Sequence, residues 1–214
     1  MFSCRQVLAY ATDIPDRDRQ VEPTMMTTPE RTSLLLMDLV PLVVPAYGGD
    51  ESMLSRLVYT ADVARQAHAD VVHVRVRLRA GATEVATRNK TFGNSAIAVA
   101  LSETNPDSDI HPAIPVDLTD TVVTKRRISA FAGSDLDLIL RARNVNTLVL
   151  AGVATSGVVL STLTQAADLD YRLVVLSDGC ADRDIEVHEF LINRVFPSRA
   201  DVLTTREWCA TLAG

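Results

Sequence analysis

Short, almost uniformly apolar runs alternate along this chain with longer stretches in which apolar residues recur every three to four positions. Ser33-Leu34-Leu35-Leu36-Met37-Asp38 is an apolar run closed by an acid, the pattern of a strand buried on both faces. The spacing then predicts a helix from about Glu51 to Ala69, with Met53, Leu54, Leu57, Val58, Ala61 and Ala64 along one side. Asp70 to Val76 is the second predicted strand and Val122 to Lys125 a short third, followed by a helix from about Ser134 to Arg143. Thr147 to Gly152 is the fourth strand, with its helix from Ser156 to about Asp168. Arg172 to Asp178 is the fifth, and a helix from about Ile185 to Phe196 is expected to bury Val187, Phe190, Leu191 and Val195. Ala200 to Thr204 closes the series, with a short terminal helix behind it.

Strand–helix alternation at this spacing implies parallel βαβ units. The expected fold is a single α/β domain, Rossmann-like and doubly wound, with a six-stranded, mainly parallel sheet and helices on both faces. The least regular stretch, from about Leu78 to Leu118, holds Arg79, Arg88, Asn89, Lys90 and Phe92, with Arg77 just before it, and is expected to form a loop over the site. Residues 1–30 are mostly polar and lack a signal peptide's apolar core. They read as a flexible tail, or one packed on a neighbouring subunit, ahead of a domain over 31–214.

Composition narrows the function. The 214 residues are 47% hydrophobic and 22% charged, with a formal net charge of −6, which leaves no basic footprint for nucleic acid or an anionic membrane surface. No apolar run approaches the roughly 20 residues of a membrane span. The three cysteines, Cys4, Cys180 and Cys209, are widely spaced and form no CxxC, so a reducing cytoplasm is the expected compartment. The expected partner is a small-molecule substrate.

In open α/β sheets ligands bind beyond the carboxyl ends of the strands, where the strand order reverses. Three such ends carry chemistry: Asp38 after the first strand, Lys125 after the third, and the turn Gly152-Val153-Ala154-Thr155-Ser156-Gly157-Val158 after the fourth. Taken alone, Asp38 reads equally as a turn acid and Lys125 as part of a solvated basic turn with Arg126 and Arg127. Thr155, Ser156 and Gly157 either cap the following helix or present amide N–H groups to a ligand. Brought into one cleft, the aspartate and lysine can pass a proton, each setting the other's pKa.

From about Thr32 to Thr205 the chain resembles the isochorismatase-like hydrolase superfamily. The resemblance rests on Leu34-Leu35-Leu36-Met37-Asp38, on Lys125 ahead of Ser129-Ala130-Phe131, on the Gly-Val-x-Thr turn, and on Tyr171 through Asp182. It implies Asp38 and Lys125 as catalytic residues, Phe131 as an aromatic wall of the cleft, and a homo-oligomer, dimer or tetramer. In the amidase branch a cysteine nucleophile follows two positions after the residue matching Ser156, and Val158 stands there. An aliphatic side chain forms no thioester, which argues against a cysteine-dependent amidase. Where that branch often carries metal ligands, Arg75, Arg77 and Arg79 stand instead, so no metal or other cofactor is expected. An anionic, carboxylated substrate held by Arg77 and Arg88 suits those positions better. The true isochorismatases also lack the cysteine, and by the resemblance they use the aspartate as an acid on a vinyl ether. Their Gly-Val-Tyr-Ala-His turn is missing here.

Three readings follow. The first is an acid-type hydrolase using Asp38 and Lys125, with Thr155, Ser156, Gly157 and Val158 lining the substrate site. The second is an inactive family member that binds a small molecule or a partner. The third is a hydrolase whose substitute nucleophile is Cys180.

Overall fold

The structure, a computed structural model, describes residues 31–212, so the expected tail and Cys4 lie outside the described residues. Strands β1 (Arg31–Met37), β2 (Asp70–Val76), β3 (Thr121–Lys125), β4 (Val145–Val153), β5 (Arg172–Ala181) and β6 (Asp201–Leu203) form one sheet in the order β3-β2-β1-β4-β5-β6. Every neighbouring pair is parallel. The chain runs outward from β1 to β3 and returns to pair β4 with β1. The strand order therefore reverses between β1 and β4.

Alternation along the strands divides the core. Leu34 and Leu36 point to one side, where α1 (Glu51–Gln66) docks through Met53, Leu54, Leu57 and Ala61, and α6 (Thr205–Leu212) through Trp208. Leu35 and Met37 point to the other, covered by Leu136 and Leu140 of α3 (Leu136–Ala142), Leu163 and Ala166 of α4 (Leu160–Asp168), and the segment after α5 (Ile185–Phe190). Full burial of such a side chain contributes about 1.5–3 kcal/mol. An isolated helix the length of α1 is marginal in water, so docking on the sheet is what holds it.

Two expectations are corrected. The helix expected to Phe196 is α-helical only to Phe190 and continues as a π turn over Leu191–Val195. That turn shifts the apolar face: Leu191, Ile192 and Phe196 are buried, whereas Val187 and Phe190 are exposed. The irregular stretch is also more ordered than its sequence suggests. It contains α2 (Ser95–Ala100) and a small core of its own, in which Val76, Leu78, Ala82 and Phe92 meet Leu101.

Candidate active site

At the reversal point the backbones of β1 and β4 nearly touch. Gly152 pairs with Met37 at φ +146°, and a Cβ there would lie 2.1 Å from the Met37 carbonyl oxygen. Only glycine permits this approach. It sets Asp38, the residue that follows β1, against the turn that follows β4. Asp38 is itself held in the left-handed region at φ 54°, with its N–H donating to the Val74 carbonyl at 2.7 Å. From the end of β3, two strands away, Lys125 reaches across the carboxyl end of β2.

The two side chains meet. Lys125 Nζ lies 2.8 Å from Asp38 Oδ2, and the side chains are only 2% and 7% exposed. Lys125 donates a second hydrogen bond, 2.9 Å, to the Arg127 carbonyl, while Asp38 Oδ1 is buried without a hydrogen-bond partner. Burial pushes the Asp38 carboxyl above its ordinary pKa, with Lys125 opposing that rise. The pair lines a cavity of about 200 Å³ together with Gly157 and Val158 of the turn. Val43, Tyr47, Val76, Phe92, Ile97 and Ile128 complete most of the wall. Tyr47 is held there by the Arg183 guanidinium, 4.8 Å from its ring centroid.

The turn that opens the helix is a π turn over Thr155–Val159, reached through a cis peptide between Val153 and Ala154. Val158 is 2% exposed and lines the cavity. Thr155 is fully buried, its hydroxyl 2.8 Å from His188 Nδ1. The Ser156 N–H donates to Asp182 Oδ2 at 2.7 Å. Thr155 and Ser156 thus anchor the turn to the segment after β5, and neither is among the residues lining the cavity.

The expected arginine clamp is not formed. Arg77 donates to Ser108 Oγ at 3.0 Å and to the carbonyls of Glu103 and Asn105, so it staples the loop over residues 103–108. Arg88 is exposed, and neither arginine lines the cavity. Arg126 and Arg127 are likewise tied to backbone carbonyls, of Arg77 and of Glu84. Phe131 does not wall the cleft. It is buried in the core beside Tyr171, with ring centroids 6.2 Å apart. The aromatic walls are Phe92 and Tyr47, and sequence reasoning had brought only Phe92 near the site, as part of the covering loop. Cys180 is packed in the core, where burial pushes its thiol up to about 12. A thiol so held supplies no thiolate, so the reading of Cys180 as nucleophile falls. Among the described residues, no three of His, Cys, Asp and Glu are grouped so that they could hold a metal ion, and no helix is long and apolar enough to cross a membrane.

Fold and cavity together define a doubly wound α/β domain with a cavity at its switch point. The chain belongs to the isochorismatase family: the isochorismatase domain matches residues 32–207. It is 32% identical over 182 residues to the isochorismatase family protein YwoC of Bacillus subtilis, covering 84% of this chain and 93% of that one. It is 26% identical over 145 residues to maleamate amidohydrolase of Pseudomonas putida, covering 68% and 67% of the two chains. Among solved structures, an isochorismatase family protein of Burkholderia thailandensis superposes with a TM-score of 0.77 at 26% identity, covering 86% of this chain and 96% of the other. The family is thus one of hydrolases, amidohydrolases among them.

Proposed function

We propose that this chain is a hydrolase acting on a small molecule by proton transfer through Asp38 and Lys125, without a covalent intermediate on the protein. The observation that carries the reading is the buried pair itself, ionic partners 2.8 Å apart that both line the cavity. The pair delivers one proton to the substrate atom that leaves and takes one back from the water that adds, so the protein ends as it began. Burial raises the proton affinity of Asp38, which favours its acid form. Val158 supports the same reading, since the position that the resemblance matches to the amidase nucleophile carries only an apolar side chain.

The test is a panel of small vinyl ethers, esters and amides assayed for turnover, followed by Asp38→Asn on whichever substrate responds. Loss of turnover by a factor of about a hundred or more, with the fold retained by circular dichroism, is the expected result. Turnover that survives Asp38→Asn refutes the mechanism, and inertness across the panel favours the inactive, small-molecule-binding reading.

A further inference from the structure

The sheet ends on β3 at one side and on β6, only three residues long, at the other. The Arg77 N–H donates to the Lys125 carbonyl at 3.2 Å, which fixes the residues of β3 that face β2. Backbone direction alternates along a strand, so Thr121, Val123 and Lys125 pair inward while Val122 and Thr124 turn their N–H and C=O groups outward. The next outward N–H, that of Arg126, is closed off by the Ala132 carbonyl at 3.2 Å. Among the described residues, no backbone hydrogen bond reaches the outward groups of Val122 and Thr124. Neither position carries proline or a charge, the usual protections of an exposed edge.

A cavity of about 410 Å³ is lined by Val122 and Thr124, by the loop of residues 133–135, and by Arg79 and Arg126. It shares no lining residue with the Asp38–Lys125 cavity, so it stands apart from the proposed function. Neither guanidinium is matched at the distance of a charge-assisted hydrogen bond. Arg126 lies 3.4 Å from Glu103 and Arg79 3.8 Å from Glu84, against 2.7 Å for the closed pair Arg65–Asp120. Arg126 donates to the Arg77 carbonyl at 2.7 Å and keeps further N–H groups. Asp135 is the one acid of the lining, so the arginines outnumber it in a chain of net charge −6.

We propose that the outer edge of β3 binds an extended peptide segment of another protein, added as a further strand, whose acidic side chains meet Arg79 and Arg126. A strand brings donors and acceptors in alternation, as the outward groups of Val122 and Thr124 require; a bare anion would meet their carbonyls as well as their N–H groups. A carboxylate suits the guanidinium fork in bidentate form. A second copy of this chain supplies no such acid. In a two-fold pairing centred on Val123 the residue opposite Arg126 is Asp120, whose side chain is 1% exposed and already held by Arg65 and His73.

The probe is the peptide acetyl-Thr-Val-Thr-Val-Glu-Glu-amide, titrated into the full chain and followed by calorimetry and amide NMR. It is expected to bind with Kd below about 1 mM, to shift the Val122 and Thr124 amide resonances and to slow their exchange with solvent. The neutral analogue with Gln for both Glu residues is expected to bind at least about fivefold more weakly. The same loss is expected for the acidic peptide on Arg79→Glu, a change at a side chain 56% exposed. A peptide N-methylated at its Thr and Val residues keeps every side chain but cannot pair as a strand, so its binding should vanish with the protein unaltered. Val122→Pro removes an outward N–H without touching the β2 ladder and should have the same effect. Equal binding of the Glu and Gln peptides, or indifference to Arg79→Glu, overturns the acidic preference and the proposal with it. Undiminished binding of the N-methylated peptide, shifts confined to residues away from β3, or no binding at millimolar concentration overturns strand addition. A wild-type dimer in sedimentation that Val122→Pro renders monomeric puts a second copy on this edge and overturns the assignment of the partner.

Discussion

Breaking the Asp38–Lys125 pair from one side should cost far more than removing it whole. Each side chain is at most 7% exposed, so solvent screens their attraction little. At 2.8 Å and an effective dielectric near 20 the Coulomb energy is about 6 kcal/mol, set against the desolvation of both ions. Asp38→Asn or Lys125→Met alone strands a buried charge and is expected to destabilise by about 3–5 kcal/mol. The double variant Asp38→Leu/Lys125→Met leaves an apolar site, and it should fall well short of the summed single losses, by about 3 kcal/mol. Urea titrations followed by fluorescence of the buried, single Trp208 measure all four corners of the cycle, with Asp38→Leu as the matching single variant. pH provides a second axis. The folded pKa of Asp38 is raised, so its contribution to stability is complete below its unfolded value near 4 and is lost as pH rises through the folded value. In Lys125→Met the opposing cation is gone, the Asp38 carboxyl climbs further, and the loss relative to wild type should grow with pH above about 4. Additivity of the single variants within about 0.5 kcal/mol, or a Lys125→Met deficit independent of pH, would refute the buried ion pair as the organising interaction.

Other outcomes follow from the same geometry. Gly152→Ala drives a methyl group into the Met37 carbonyl and should cost more than about 3 kcal/mol or abolish soluble expression; thermal denaturation of any soluble protein checks it. Asp120 is buried, and although burial alone would raise its carboxyl, hydrogen bonds from Arg65 and His73 hold it below the usual range. Its contribution is therefore present above about pH 4 and lost as pH falls, so Asp120→Asn should destabilise by about 3–5 kcal/mol at neutral pH and flatten the acid limb of stability measured by urea titration. Val158→Cys, which puts a thiol into the cavity that Asp38 and Lys125 also line, is expected to release ammonia from small amides at a measurable rate; an inert variant would mean that the pocket differs from the amidases by more than one thiol.

Asp38 and Lys125 were legible in the sequence because each ends an apolar run, and a parallel doubly wound sheet gathers such ends at one edge. The same logic located the Gly152–Val158 turn. The arginines misled because a guanidinium close in sequence to a site is free to turn away from it. Arg77 and Arg127 find closer partners in loop carbonyls than in the cavity. Phe131 and Phe190 do not take the places expected of them, as cleft wall and buried helix residue, for a related reason. Periodicity tells which residues are apolar, but a π turn or an irregular covering segment decides which way they face.

Local pattern alone determined the strands, their parallel pairing, the division of Leu34 and Leu36 from Leu35 and Met37, and the absence of a thiol at position 158. These depend on side-chain period and residue identity, which are properties of short stretches of chain. The charge of the pocket was decided only by tertiary structure. Neutralisation of Asp38 by Lys125, the commitment of the arginines to backbone carbonyls, and the closing of the wall by Tyr47, Phe92 and Ile97 join residues tens of positions apart. Electrostatics acts through distance and burial, and sequence separation specifies neither.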